Sequence, residues 1–220
     1  MNFASDFVGF AASLVLLFAY QGYLRYRLSK DPGYTVQRVN NQVRTAWVEE
    51  IMRRREGVLA VQTLRNSMMA AVFLASTAVL MIIGVLTLSE QGDKLRTTWQ
   101  ALDVFGAASS RLWLTKMLLL LIDLLVAFFS FAMAIRLFHH VGYMINAPQD
   151  AGLVAADPAH VSGHLNRAGH FYSIGMRAYY YPVPLLLWLF GPLFMFAGTV
   201  ALVVTLYYLD RTPRLPASDP

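Results

Sequence analysis

Four stretches of this sequence are almost free of charge, and their lengths limit what the chain can fold into. Phe7–Leu24 covers 18 residues, Asn66–Ser89 24, Met117–Ile135 19 with Asp123 inside it, and Ala178–Leu209 32. A helix needs about 20 apolar residues to cross the hydrocarbon of a bilayer. The chain is 57% hydrophobic and 14% charged, with a mean hydropathy of +0.47, too apolar for an ordinary water-soluble domain. It therefore reads as an all-α integral membrane protein with four transmembrane helices, at about residues 7–24, 66–88, 114–137 and 185–208.

The basic residues set the expected orientation. Twelve of the 18 fall between the first two spans or after the third: Arg25, Arg27, Lys30, Arg38, Arg44, Arg53, Arg54, Arg55, Arg65, Arg136, Arg167 and Arg177. The other six are Lys94, Arg96, Arg111, Lys116, Arg211 and Arg214. This bias predicts cytoplasmic loops at about residues 25–65 and 138–184, with both termini outside. The segment MNFASD has no Lys or Arg, so the first span is expected to be an uncleaved anchor rather than a secretory signal. Cysteine is absent, which excludes a disulfide framework and thiolate chemistry. The net charge of +5 is accounted for by membrane anchoring, and no motif points to nucleic acid.

The loops have helical pattern. Val36, Val39, Val43, Trp47 and Ile51 share one face, and Arg38, Asn41, Arg44, Glu49 and Arg53 the other. That amphipathic helix suits either the bilayer surface or a cytosolic cap. Gly57 is expected to separate it from the next helix. Asp157 followed by Pro158 starts a helix in the third loop, expected to run to about Tyr181, where Pro182 and Pro184 break it. Leu95, Trp99, Leu102 and Phe105 predict a short interfacial helix.

Three sets of side chains are candidates for function. In this topology Arg25, Arg65, Arg136 and Arg177 stand at the cytoplasmic ends of four different spans. Planar guanidinium groups at one depth match the oxygens of a phosphate or carboxylate. Gln62, Asn66, His139, His140 and Asn166 could complete such a site, but positive-inside anchoring explains the same positions. Lys116, Asp123 and Ser130, seven residues apart, form a polar stripe on the third span; it suits an ion path or a helix–helix contact. His160 and His164 have the i, i+4 spacing of a ligand pair, with no Glu nearby to make a metalloprotease motif. No metal site and no cofactor is predicted. The tyrosines at 179–181 and 207–208 read as aromatic belts.

Several blocks resemble a known family. LAVQTLRNSMMAA at 59–71, SFAMAIRLFHHVGYMINAP at 130–148, FYSIGMRAYYYPVPLLLWLFGPL at 171–193 and LYYLD at 206–210 are similar to the bacterial and plant membrane proteins of domain-of-unknown-function family 599. The resemblance spans about residues 15–210 and implies a multi-span helical protein. It implies no activity. Gln62, Arg65, Asn66, Arg136 and Arg177 fall within its blocks; His160 and His164 do not.

The expected location is a bacterial inner membrane, with the N-terminus outside. Two functions compete on this reading. One is a homo-oligomeric, channel- or transporter-like pathway for a small ion or solute. The other is a structural or lipid-organising protein that binds anionic lipid headgroups. An enzyme carrying metal or haem on its histidines ranks third.

Overall fold

The computed structural model describes residues 3–31, 33–91, 110–148 and 154–212. It contains helices α1 (Phe3–Lys30), α2 (Val36–Arg54), α3 (Gly57–Glu90), α4 (Ser110–Met144), α5 (Pro158–Tyr180), α6 (Pro182–Leu187) and α7 (Pro192–Leu209). No strand forms among the described residues. Four helices are long and apolar enough to cross a membrane: Asp6–Lys30 of α1, α3, Arg111–Met144 of α4, and α7. The expected fold class is therefore observed. The interfacial helix expected around Trp99 lies outside the described residues.

Local chemistry accounts for the ends of these helices. α1 has Asp6 in its first turn and Arg27 and Lys30 in its last, each complementing the helix dipole. α2 starts after extended Thr35 and closes at Arg55, which takes the left-handed conformation with φ 55°. The Arg55 N–H donates to Met52 O and the Glu56 N–H to Ile51 O, a Schellman-type closure. The break expected at Gly57 thus falls two residues earlier, and Gly57 opens α3. α5 starts at Pro158 after extended Asp157, as the Asp-Pro pair predicts.

At 34 and 35 residues, α3 and α4 are each about 51–52 Å long, roughly 20 Å more than a hydrocarbon core. The excess is not left bare. Val48, Ile51 and Met52 of α2 and Val161, Leu165 and Ala168 of α5 pack on Ala60, Leu64, Leu137, Phe138 and Val141 in one buried cluster. Of the two readings for α2, this packing is the one adopted: the helix is part of a cap over the α3–α4 hairpin.

The chain differs most from expectation after Arg177. The uncharged stretch 178–209 is not one span. Pro182 and Pro184 bring no N–H to the α5 ladder, so the helix breaks at Tyr181 and continues as short α6. Gly191, at φ 143°, then reverses the chain into Pro192. Gly198 of α7 packs against Leu187 and Pro184 of α6, which makes the two an antiparallel hairpin.

It follows that α7 runs parallel to α1. At one end the Trp188 Nε1–H donates to Asp6 Oδ1 (2.9 Å), and Pro192 abuts Gly9. At the other, the Tyr20 hydroxyl donates to Asp210 Oδ2 (2.8 Å), and Thr35 and Arg211 form an isolated antiparallel bridge. α5 and α6 together carry the chain between these levels. The expectation that residues 138–184 form a loop, and that Arg211 lies opposite Arg25, is corrected: Arg211 stands with Arg25, Arg27 and Lys30, here termed the arginine end. Counting charges finds apolar runs, but it cannot see a reversal inside one.

The absence of cysteine allows this topology to be read directly. In right-side-out vesicles, single-cysteine variants Ser29→Cys and Thr212→Cys should react with an impermeant maleimide from one side, and Ser89→Cys from the other. Labelling of Thr212→Cys together with Ser89→Cys would contradict the parallel arrangement.

Candidate functional site

At the arginine end a cavity of about 610 Å³ opens between α1, α2 and α5. Each helix turns one face into it. α1 contributes Gln21, Leu24, Arg25, Leu28 and Ser29, and α5 contributes His170, Ser173, Ile174 and Arg177. Both sets follow the i, i+3, i+4, i+7 spacing of a single helical face. α2 adds Gln37, Arg38 and Asn41, and Asp210 reaches in from the end of α7.

The floor is an ion pair. Arg177 Nη2 donates to Asp210 Oδ1 (2.8 Å), and its Nη1 meets Gln21 Oε1 at 3.4 Å. The Tyr20 hydroxyl occupies the other carboxylate oxygen. Asp210 is the acid among the described lining residues, and it is already taken twice. Arg25 and Arg38 are exposed, and their side chains have no hydrogen bond or ion pair among the described residues.

A fourth guanidinium stands behind Asn41. Arg44 donates through Nε to Asn166 Oδ1 (3.0 Å) and through Nη2 to Asn41 Oδ1 (2.5 Å). Asn166 in turn donates to Thr45 Oγ1 (3.1 Å). Gly169 leaves the room this guanidinium fills. Its partners are amides rather than acids, and burial lowers its pKa from the ordinary arginine value. Among the described residues, Arg25 and Arg38 thus bring to the cavity positive charge that no acid pairs with.

The expected quartet of arginines is split. Arg25 and Arg177 share the cavity. Arg65 lines a separate groove of about 250 Å³ between α3 and α4, with Met68, Phe138, His139 and Tyr143. Gln62, Asn66 and Arg136 are exposed and line neither, and His140 is exposed. A common depth is not a common face: α3 packs on α4, while α1 packs on α7. Asn166 holds Arg44 rather than facing the cavity. Arg38, Asn41, His170 and Asp210 were not foreseen as site residues; of these only His170, seven residues before Arg177 on one face of α5, carries a signal in helical spacing.

The stripe on α4 is not a uniform path. Lys116 is 5% exposed; its Nζ donates to Trp188 O (2.8 Å), lies 3.3 Å from Asp6 Oδ1 and sits 4.9 Å from the Trp188 ring centre. Phe10 stacks on that indole at 5.0 Å. Lys116 is thus consumed in a lock that ties α1, α4 and the end of α6 together. Asp123 is half-buried, with Oδ2 shielded and without a hydrogen-bond partner, and Ser130 is buried.

His160 and His164 have ring centres 4.7 Å apart, but no group of three metal-capable side chains forms among the described residues. Burial, then the nearby His160, His140 and Arg167, lowers the pKa of His164.

Four long apolar helices define a multi-span α-helical membrane protein. Residues 8–215 match the model of a family described as "Protein of unknown function, DUF599", and the chain belongs to that family. No curated protein and no solved structure matches it.

The lock gives a sharp stability prediction. Removing one partner of a buried ion pair costs about 3–5 kcal/mol, because the remaining charge stays buried. Lys116→Ala should lower the free energy of unfolding in detergent by that amount, and Asp6→Asn in the same chain should restore part of it. Equal stability of Lys116→Ala and the unaltered protein would contradict the lock.

Proposed function

We propose that this protein binds an anionic group, a phosphate or carboxylate, in the cavity between α1, α2 and α5. One observation carries the reading: Arg25 and Arg38 enter that cavity without partners, while its acid, Asp210, is already held by Arg177 and Tyr20. Guanidinium groups bind such oxygens through parallel N–H donors. Ser29, Gln37, Asn41 and Ser173 supply further hydrogen-bonding groups around them. The arginine end is assigned to the cytoplasmic side of a bacterial inner membrane, and Arg211 adds to the positive bias there.

A transport pathway is the second reading. The unpartnered carboxylate oxygen of Asp123 favours it, since ionisable groups within membranes commonly serve ion or proton movement. The Lys116–Asp6–Trp188 lock would have to open for a solute to leave by the opposite end, so binding ranks ahead of transport.

The test is thermal unfolding in neutral detergent at constant ionic strength, with inorganic phosphate, glycerol 3-phosphate and phosphatidylglycerol as probes. A ligand at a hundred times its Kd stabilises by about 2.7 kcal/mol, a rise of roughly 5–10 °C for a chain of this size. At least one probe should produce such a shift in the unaltered protein and lose it in the Arg25→Gln/Arg38→Gln double variant. No shift with any probe, or the same shift in both proteins, would overturn the proposal.

A further inference from the structure

The occupant can be specified further, in an argument that rests on the anion-binding reading above. Three observations bear on it.

The first is depth. Arg25 is the first charge after the apolar run Phe7–Leu24 of α1. Around it stands a belt of tyrosines with cations over their rings: Lys30 on Tyr26 at 4.6 Å, Arg27 on Tyr34 at 5.0 Å, and Arg211 on Tyr207 at 4.4 Å. Tyr26 and Tyr208 are exposed. Exposed tyrosine beside Lys and Arg at the end of a span is the signature of the headgroup layer. The cavity therefore opens where hydrocarbon gives way to lipid headgroups, not in bulk water.

The second is the chemistry of the walls. Leu24, Leu28 and Ile174 interrupt the polar lining, and at about 610 Å³ the cavity lies within the 300–1,000 Å³ range of sites for drug-sized ligands. A bare phosphate would leave most of that space, and all three apolar side chains, to water. A headgroup with the start of its acyl chains uses both.

The third is the balance of charge. A cationic headgroup, ethanolamine or choline, would meet Arg25 and Arg38 and find its potential acid, Asp210, already bound to Arg177 and Tyr20. A hydroxylated, uncharged headgroup instead finds Ser29, Gln37, Asn41 and Ser173 as hydrogen-bonding partners.

We infer that the cavity takes a phospholipid of net negative charge with a hydroxylated headgroup, its phosphodiester held by Arg25 and Arg38 and its chains leaving past Leu24, Leu28 and Ile174. The lipid enters from the membrane between α1 and α5, and the Arg177–Asp210 pair forms the floor beneath the headgroup.

Native mass spectrometry of the full chain in neutral detergent tests this with phosphatidylglycerol, phosphatidylethanolamine and phosphatidylcholine of identical chains, and with glycerol 3-phosphate as the soluble headgroup. Phosphatidylglycerol should be retained on the order of tenfold more than either zwitterionic lipid, the ratio for about 1.4 kcal/mol. Arg25→Gln and Arg38→Gln should each reduce that preference, and Arg25→Lys should keep part of it. These side chains hold no partner among the described residues, so the variants report on the ligand rather than on folding. Ile174→Asn should weaken phosphatidylglycerol retention and leave glycerol 3-phosphate unaffected. If glycerol 3-phosphate binds as tightly as phosphatidylglycerol, the lipid claim fails while the anion reading stands. Equal retention of all three lipids also overturns the claim, and binding of no anionic probe overturns both.

Discussion

The ion pair between Arg177 and Asp210 determines more of this structure than its one short contact suggests. Arg177 is the last charge before a long apolar stretch and Asp210 the first after it. Their meeting requires the chain between them to leave and return, so α5–α6 and α7 form a hairpin rather than a single span. The same carboxylate takes the Tyr20 hydroxyl, which fixes α7 alongside α1, and the Asp210 carbonyl accepts the Val36 N–H at the start of α2. Half-buried charges are tolerated here because each has its opposite and a hydrogen bond besides.

Two locks, one at each end, divide the labour of holding α1 and α7 to the rest of the bundle. At the far end Lys116, Asp6 and Trp188 close the gap with charge and aromatic stacking over an apolar cluster of Phe10, Leu112, Leu119 and Met195. At the arginine end Arg177, Asp210 and Tyr20 stand on a cluster formed by Leu17, Tyr180, Leu202 and Leu206. Beyond that cluster α1 and α5 are no longer bridged by apolar side chains, and the cavity occupies the space between them. Site and fold therefore share their residues: the pair that reverses the chain is also the floor of the cavity.

Much of this was legible in the sequence. Three of the four spans followed from gaps between charges, and the start of α5 from Asp157-Pro158. That α2 is a helix followed from the spacing of Val36 to Ile51, but its face did not: Val48, Ile51 and Met52 are buried, Val43 of the expected apolar face is exposed, and Asn41 and Arg44 of the expected polar face turn inward. The break at Pro182 and Pro184 was visible too, but not its consequence, since a proline can kink a span or end it. The arginines failed for a related reason. Depth along a span can be counted from sequence, whereas the azimuth around the bundle depends on which helices pair, so Arg65 and Arg25 looked like neighbours and are not. Arg38 and Asp210 became site residues only through contacts between α2, α7 and α1, far apart along the chain.

The claim that the end of α7 is stitched to the α1–α2 junction, closing the cavity from below, is open to one direct measurement. Opposed residues of an antiparallel bridge have Cα atoms about 4.5–5.5 Å apart, within disulfide reach. The chain has no cysteine of its own, so Thr35→Cys/Arg211→Cys should form an intramolecular disulfide on mild oxidation in membranes. The account predicts near-complete crosslinking within one chain, reversed by reductant. Two free thiols after oxidation, in a protein that is otherwise folded, would contradict it.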